Sequence, residues 1–367
     1  MKSIFKIIII FFGISSYSQE LIFENLFDSS LGSEIACYRI PSIITSINGT
    51  LIAAIDERNN SCGDLKWNRD INIVLRKSYD DGNTWTEIEK IIDYPDGESA
   101  SDPSMILDKQ TGHIFMFYNY MNLDKAKNVY RLMLIKSSDN GKSWSNPKDI
   151  TSQITEESWE KDFMFITSGR GTQTKDGTLL HCLVNLNKGT HVFGSNDHGE
   201  NWFLIDSPLN PADESKIVEL SNGDWLVNSR VNSNKFRYSH LSKDKGKSWF
   251  SFENKDLLDP ACNFCLINYN AGSKNLLLFS NAFNSQQREN LSISISYDRG
   301  ISWKNTKTIY KGKSAYSSMT ILKNGDIGLF FEKGHLFFLH SDLFAVCKEK
   351  TRNFNFNFAI HLCDHFG

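Results

Sequence analysis

The sequence predicts an all-β repeat protein, and two repeated turns support that prediction. The first is an octapeptide of the form S-x-D-x-G-x-x-W. Its Asp can accept hydrogen bonds from the backbone of its own turn, and its Gly supplies a positive φ. It occurs five times, at residues 78–85, 137–144, 195–202, 242–249 and 296–303. The second is a Gly-containing turn that occurs six times, at Gly49, Gly112, Gly177, Gly223, Gly272 and Gly325.

Short apolar stretches next to both kinds of turn are typical of β-strands. Residues 71–77, 131–136 and 291–295 run directly into octapeptides, and they are short, rich in residues typical of strands and partly alternating. Apolar runs also lie on both sides of the Gly turns, so each repeat is expected to hold an antiparallel hairpin, a third strand, the octapeptide turn and a fourth strand. The spacing of 47 to 59 residues between octapeptides suits such a four-stranded unit.

Six hairpins and five octapeptides predict six units, of which one lacks its octapeptide. The expected architecture is therefore a six-bladed β-propeller of four-stranded antiparallel blades, because radial closure leaves few exposed strand edges. An open β-solenoid is the alternative. No linker or change of composition marks a second domain, so residues 19–367 are expected to form a single domain whose last 30 or so residues are atypical.

Composition and the N-terminus narrow the class of protein. A formal net charge of −3 argues against a nucleic-acid-binding protein. Lys2 and Lys6 precede an apolar run at residues 7–14 and a small-residue cleavage site, which predicts a cleaved secretory signal peptide over residues 1–18. That run is too short for a membrane anchor. We expect export to the periplasm, the cell surface or the exterior, without stable membrane insertion, and the oligomeric state stays open.

The seven cysteines leave at least one thiol unpaired, and their pairing cannot be deduced from the sequence. Cys262-x-x-Cys265 resembles half of a zinc site, but no second pair follows at a suitable spacing. A structural role is favoured for both residues, and no metal or cofactor is predicted.

Charged residues recur at similar distances from the Gly turns. Residues equally far from a turn on the two arms of a hairpin are neighbours, and this spacing pairs Arg39 with Arg58, Glu214 with Arg230 and Tyr316 with Glu332, with Asp102 at an equivalent position. If the hairpins are the inner strands of the blades, all seven meet at one mouth of the central channel. Each Arg alone would more often be a surface residue or a structural ion pair. Together they predict an anion site, because the planar guanidinium fork binds carboxylates.

At these residues the sequence resembles the bacterial-type exo-α-sialidases, or neuraminidases, over residues 22–334. Tyr38-Arg39-Ile40-Pro41 is similar to the family's Y/F-R-I-P motif, and the five octapeptides are similar to its Asp-boxes. Residues 213–216 and 314–318 match as well. The fold of that family is a six-bladed propeller, in agreement with the count of repeats.

The resemblance implies roles for nine residues. Three form the arginine triad that holds the substrate carboxylate, one is the nucleophile with its general base, and one is the acid/base on a mobile loop. The remaining three orient the first arginine or contact the O4 region of the sugar. By this resemblance, the triad is Arg39, Arg230 and Arg288. The nucleophile is Tyr316 with Glu214 as its base, and the acid/base is Asp64. Glu332 orients Arg39, and Arg58 and Asp102 contact the O4 region.

The implied activity is the hydrolysis of terminal α-linked sialic acid from glycoproteins, glycolipids and oligosaccharides, with retention and through a tyrosyl intermediate. Sialic acid carries a carboxylate on its anomeric carbon, which would repel a carboxylate nucleophile, and sialidases are an exception to the usual pair of carboxylates. A trans-sialidase, including the intramolecular type, and a non-catalytic sialic-acid-binding propeller are the alternatives. One departure is the tail at residues 351–358, because the family usually ends with a closing strand soon after Gly334.

Overall fold

The computed structural model describes residues 22–31, 34–335 and 338–347, and this part of the chain is almost entirely β-structure. Its single α-helix has four residues, Thr151–Ile154, and two 3-10 turns lie at Ser29–Leu31 and Glu157–Trp159. No helix within these ranges is long and apolar enough to cross a membrane. The proposed signal peptide lies outside the described residues.

The described strands number 25. In chain order they are β1 (Ile22–Asp28), β2 (Ile35–Thr45), β3 (Leu51–Asn59), β4 (Ile71–Ser78), β5 (Glu89–Ile92), β6 (Glu98–Leu107), β7 (Ile114–Asn122), β8 (Arg131–Ser137), β9 (Lys148–Asp149), β10 (Met164–Ile166), β11 (Gly169–Arg170), β12 (Thr172–Gln173), β13 (Leu179–Asn185), β14 (Gly189–Ser195), β15 (Phe203–Leu209), β16 (Ser215–Glu219), β17 (Trp225–Ser229), β18 (Phe236–Ser242), β19 (Phe250–Leu258), β20 (Cys265–Ala271), β21 (Lys274–Ala282), β22 (Glu289–Ser296), β23 (Lys304–Ile321), β24 (Ile327–His335) and β25 (Phe338–Cys347).

These strands form five sheets, so the prediction of six four-stranded blades is wrong. Two sheets have four strands, β2-β3-β4-β5 and β16-β17-β18-β19, and two have five, β11-β6-β7-β8-β9 and the sheet of β10 and β12 to β15. The fifth has seven strands in the order β1-β25-β24-β23-β22-β21-β20. The cause is β23, which is 18 residues long. Its first part pairs with β22 and its second part with β24, so no break separates the last two hairpins.

The octapeptides form the tight turns that the sequence predicts. In all five, the Gly amide donates to the hydroxyl of the first Ser at 2.8 Å. The Asp accepts the amide four residues later at 2.8–2.9 Å. The five Gly residues have φ between 80° and 85°, where a side chain would be strained. These turns lie beyond the third strand of each unit, away from the inner hairpins.

Apolar side chains fill the space between neighbouring sheets. Between the sheet of β2 to β5 and the sheet that contains β6 to β9, Ile44, Ile52 and Leu75 pack with Met105 and Met116. Burying one such side chain fully contributes about 1.5–3 kcal/mol. The clusters therefore fix how each sheet sits against the next, and with it how the inner strands converge.

The first and last described strands close the seven-stranded sheet. Strand β25 pairs antiparallel with β24 on one side and with β1 on the other. The N-terminal strand is therefore the outermost strand of a sheet built mainly from the C-terminal part of the chain. The atypical tail at residues 351–358 lies outside the described residues.

The hairpin registers test the spacing argument directly. Arg230 and Glu214 lie opposite each other, with the Arg230 amide donating to the Glu214 carbonyl at 2.9 Å. Tyr316 likewise faces Glu332, since the flanking Ser317 pairs with Phe331. Both pairings are confirmed.

The predicted pairing of Arg39 with Arg58 is wrong, because Arg39 lies opposite Asp56. A bulge between Arg39 and Ser42, where Ile40 adopts a φ of 69° just before Pro41, shifts the register. Asp102, with a φ of 66° before Pro103, occupies a matching bulge in β6.

Candidate active site

The predicted site residues lie on separate strands, directly beside them or in the loop after β3, and they meet at the open ends of the inner hairpins. Tyr316 on β23 is the centre of the group. Its hydroxyl donates to Oε2 of Glu214 at 2.9 Å, and Nη1 of Arg230 lies 3.4 Å from the same hydroxyl. The guanidinium carbons of Arg39 and Arg288 lie 5.7 and 5.5 Å from the centre of the Tyr316 ring. One phenol is thus surrounded by one carboxylate and three cations.

The Tyr316 phenol is neutral in this environment. Burial and the negative charge of Glu214 raise the pKa of Tyr316 well above 10, while the charges of Arg230 and Arg288 act against them. The hydrogen bond to Glu214 gives the phenolic proton an acceptor that is already in place. The pair is therefore suited to nucleophilic attack by oxygen with simultaneous transfer of its proton.

The three arginines are held by different partners. Arg230 bonds to Glu214 at 2.6 Å through Nη1 and to the Asn232 side chain at 2.6 Å through Nε. Arg288 donates from Nη2 to the carbonyl of Ala261 at 2.7 Å. None of these contacts engages the whole guanidinium fork. The remaining N–H groups make this cluster suited to binding a carboxylate.

Glu332 on β24 organises the Arg39 side of the site. Its buried carboxylate accepts the amide of Ile40 at 2.8 Å and the amide of Tyr316 at 3.3 Å. The same carboxylate lies 3.4 Å from Nε of Arg39. One side chain thus ties the bulge in β2 to the strand of the phenol, and it orients the arginine between them.

Asp64 lies in the loop between β3 and β4, and its side chain also contacts Arg39. Its Oδ1 is 2.6 Å from Nη1 of Arg58 and 3.3 Å from Nη1 of Arg39, while the side chain is 61% exposed. Partial burial raises the pKa of Asp64, but the guanidinium groups of Arg58 and Arg39 outweigh that effect and hold the pKa below its usual value. Asp64 is the one member of the site that solvent reaches freely.

The loop that carries Asp64 is anchored close to the residue. A disulfide joins Cys62 to Cys37 on β2, and Nη1 of Arg58 also donates to the carbonyls of Cys62 and Gly63. The abundance of Asn and Gly in the loop is typical of a mobile segment, which stays a prediction. The disulfide and Arg58 restrict any such motion at the N-terminal end of the loop.

Asp56 is a member of the site that the sequence analysis missed. It is buried and accepts from Nε and Nη2 of Arg58, from Oγ of Ser101 at 2.6 Å and from the amide of Asp102 at 2.9 Å. A charged residue directly after the apolar run of β3, two positions before Arg58, was the available signal. Burial raises the pKa of Asp56 to about 6, although Arg58 opposes the shift.

Asp102 is close to Asp56 and is affected by it. Its Oδ2 accepts from the Asn119 side chain at 3.0 Å. Burial, and then the charge of Asp56, raise the pKa of Asp102 to about 8. The raised pKa favours the protonated form of Asp102, a carboxylic acid that can donate a hydrogen bond. Asp56 is a common partner of Asp102 and Arg58.

The described residues contain no group of three or more His, Cys, Asp or Glu side chains arranged to hold a metal ion. Cys262 and Cys265 are buried thiols, and Sγ of Cys265 accepts the amide of Met319 at 3.2 Å. The candidate site thus consists of an anion clamp of three arginines, the phenol of Tyr316 with Glu214 as its base, and the exposed carboxyl group of Asp64.

Comparison with known proteins gives consistent matches. Residues 49–329 match the family model described as a BNR repeat-like domain. A sialidase of Bacteroides fragilis is 29% identical over 330 residues, covering 81% of this chain and 60% of that protein. A sialidase of Micromonospora viridifaciens is 32% identical over 331 residues, covering 81% of this chain and 50% of that protein. The chain thus spans only 50–60% of the length of these two relatives.

One solved structure gives the same result at the level of the fold. The Hadza microbial sialidase Hz136 superposes with a TM-score of 0.75 at 28% sequence identity, covering 84% of this chain and 65% of that one.

Proposed function

The chain belongs to the bacterial sialidase family through its BNR repeat-like domain, and on that premise we propose that it is an exo-α-sialidase. Its substrates are glycoproteins, glycolipids and oligosaccharides that end in α-linked sialic acid. The observation that supports this most is the 2.9 Å hydrogen bond from Tyr316 to Glu214 within a ring of three arginines. A carboxylate clamp beside an uncharged nucleophile suits a sugar whose anomeric carbon carries a carboxylate.

Substrate binding uses the arginine cluster. The sugar carboxylate lies against Arg39, Arg230 and Arg288, which places the anomeric carbon next to the Tyr316 hydroxyl. The resemblance to the family implies that Arg58 and Asp102 contact hydroxyl groups further along the sugar ring. The charges of Arg230 and Arg288, which favour the phenolate, also assist the attack.

In the first step, the Tyr316 oxygen attacks the anomeric carbon while its proton passes to Glu214. The bond from that carbon to the leaving oxygen breaks, and Asp64 gives this oxygen its proton. In the second step, Asp64 takes a proton from water, whose oxygen attacks the same carbon. The bond to Tyr316 breaks and Glu214 returns the proton. Two inversions give net retention.

The first step requires Asp64 to carry a proton, although its contacts with Arg58 and Arg39 favour the ionised form. A substrate carboxylate bound at Arg39 neutralises part of that positive charge. The pKa of Asp64 then rises as the sugar binds, so the acid becomes protonated when its proton is needed. The large exposure of Asp64 agrees with a leaving group and a water molecule that arrive from solvent.

Incubation of the purified protein with 3′-sialyllactose, followed by identification of the products, tests the proposal. Free sialic acid and lactose are expected, and the reaction should disappear in Tyr316→Phe while Lys142→Ala, an exposed change in an octapeptide turn, has no effect. An anhydro sugar, or transfer of sialic acid to isotopically labelled lactose added as an acceptor, would instead identify a trans-sialidase. Binding of sialyllactose without any product would identify a non-catalytic binding protein.

We also propose that the protein is exported. The sequence of residues 1–18 supports this, and so does the disulfide between Cys37 and Cys62, since disulfides persist in oxidising compartments. The periplasm, the cell surface and the exterior all meet that condition. Detection of the mature protein starting at residue 19 in a periplasmic or culture fraction would test it.

A further inference from the structure

A cavity lies at the end of the central channel opposite the candidate active site. Its volume is about 290 Å³, and it is lined by the far ends of the inner strands, including Thr45 on β2, Leu107 on β6 and Ile321 on β23. Six residues separate Arg39 from Thr45 along β2, which corresponds to roughly 20 Å of extended chain. The cavity is therefore distinct from the Tyr316 site.

Arg170 projects its charge into this cavity from an unusual segment. Between β10 and β12, residues 167–171 leave their own sheet, and β11 pairs in parallel with β6 of the neighbouring sheet. From there Nη1 of Arg170 reaches across the channel and donates to the carbonyl of Met319 at 2.7 Å. This neutral carbonyl is its one hydrogen-bond partner among the described residues.

The positive charge of Arg170 has no described counter-ion. Within residues 22–31, 34–335 and 338–347, no carboxylate oxygen lies within 4.0 Å of Arg170 or of Lys109, which lines the same cavity at its rim. Burial lowers the pKa of Arg170, whereas an ion pair would raise it. A largely enclosed guanidinium without a counter-ion is unfavourable, and an anion in the cavity would relieve that cost.

A further buried cation contacts the segment that carries Arg170. Lys216 donates from Nζ to the carbonyl of Ser168 at 2.6 Å and to the Asn263 side chain at 3.0 Å, and both acceptors are neutral. No carboxylate of a described residue lies within 4.0 Å of it either. Two cations without a described counter-ion within 4.0 Å thus contact or belong to residues 167–171, which adds to the positive charge of this part of the molecule.

We propose that this cavity binds a small organic carboxylate with an apolar body. A carboxylate suits the guanidinium of Arg170, which can bind it bidentately, with Lys109 at the entrance. Ile44, Ile106 and Val218 supply apolar walls for the rest of the molecule. A cavity of about 290 Å³ is at the small end for a ligand site and excludes a glycan chain. The proposal does not depend on the sialidase activity.

Benzoate is a suitable probe because it joins a carboxylate to a compact apolar ring, and benzyl alcohol is its neutral analogue. Isothermal titration calorimetry on the full chain should show saturable binding of benzoate and none of benzyl alcohol. Inorganic phosphate, an anion without an apolar body, should bind much more weakly. Equal binding of benzoate and benzyl alcohol would contradict an anion site, and equal binding of phosphate and benzoate would contradict the apolar part of the proposal.

Three variants locate the binding. Arg170→Gln should weaken benzoate binding by about tenfold or more. Lys109→Gln, an exposed change that should not disturb folding, should weaken it about two- to fivefold. Lys125→Gln is the matched surface control and should leave it unchanged.

Arg288→Ala distinguishes the two ends of the channel. Binding at the Tyr316 site would be lost in that variant and kept in Arg170→Gln, and such a result would overturn the proposal. An affinity for benzoate that is unchanged in both single variants, Lys109→Gln and Arg170→Gln, would overturn the proposal as well.

Discussion

The hydroxyl of Tyr316 donates a hydrogen bond to Glu214 at 2.9 Å, although the two residues are 102 positions apart in the chain. They are brought together because each lies at the open end of an inner hairpin, on different sheets. The same Glu214 oxygen also accepts Nη1 of Arg230 at 2.6 Å. A single carboxylate atom thus serves as base for the nucleophile and as anchor for one arginine of the clamp.

Glu214→Gln should lower turnover strongly, because an amide accepts no proton from Tyr316. A positioned base contributes about 10²–10⁴-fold to rate, so we expect kcat on sialyllactose to fall by about that factor. The amide can still bond to Arg230 and Tyr316, so the melting temperature should change little. A variant that keeps wild-type kcat would show that Glu214 is not the base.

Arg288→Ala should raise KM with little loss of stability. Arg288 bonds to a neutral carbonyl, whereas removal of Arg39 or Arg230 would leave the carboxylate of Glu332 or Glu214 without its cation. Loss of one charge-assisted contact corresponds to about a 10- to 100-fold weaker interaction. Arg69→Ala, which removes two exposed ion pairs, is the control and should leave KM unchanged. An unchanged KM in Arg288→Ala would place the substrate carboxylate elsewhere.

Asp102→Asn should change how stability depends on pH. The pKa of Asp102 is raised from 3.8 to about 8, so the folded protein binds more protons than the unfolded chain between these values. Stability from this group is complete below pH 3.8 and is lost as the pH rises through about 8. The wild type should therefore lose more melting temperature than Asp102→Asn between pH 5 and pH 9. Parallel curves for the two proteins would contradict the raised pKa.

Asp139→Ala should lower stability and leave activity intact. Its carboxylate accepts the Ser143 amide at 2.9 Å, the Ser143 hydroxyl at 2.6 Å and the Ser137 hydroxyl at 2.9 Å, in a turn remote from Tyr316. Loss of these bonds should cost about 1 kcal/mol or more in the free energy of unfolding. Chemical denaturation measures this free energy, and Lys142→Ala in the same turn is the control that should leave it unchanged. Normal stability with abolished turnover would reverse the roles assigned to this turn and to the site.

The hairpin spacing predicted the partner of Glu214 because β16 and β17 keep a regular register up to the site. It also predicted the partner of Tyr316, because the irregularity between Ser314 and Ser317 leaves the register between Tyr316 and the Gly325 turn intact. It failed for Arg39 because counting from the Gly turn gave only an approximate register. The register on the turn side of the bulge, with Ser42 opposite Ala54, would place Arg39 opposite Glu57, and the bulge before Pro41 shifts Arg39 by one more residue to Asp56.

Two further features depend on hydrogen bonding between units, which periodicity does not report. The number of separate blades was wrong because β23 runs unbroken from one hairpin unit into the next. The position of Arg170 was not predicted either, because residues 167–171 leave their own sheet to pair with β6. Repeated turns predict the units well, but they do not show where two units join or where a segment crosses between them.

The most direct test of the account is covalent labelling of the nucleophile. A 3-fluoro sialic acid with a good leaving group should react with the protein and leave its sugar attached, because the fluorine slows the release of the intermediate. Mass spectrometry of the digested protein should find the adduct on Tyr316, with much less labelling in Glu214→Gln. An adduct on Asp64 or Glu214, or no adduct on a protein that turns over sialyllactose, would contradict the tyrosine mechanism.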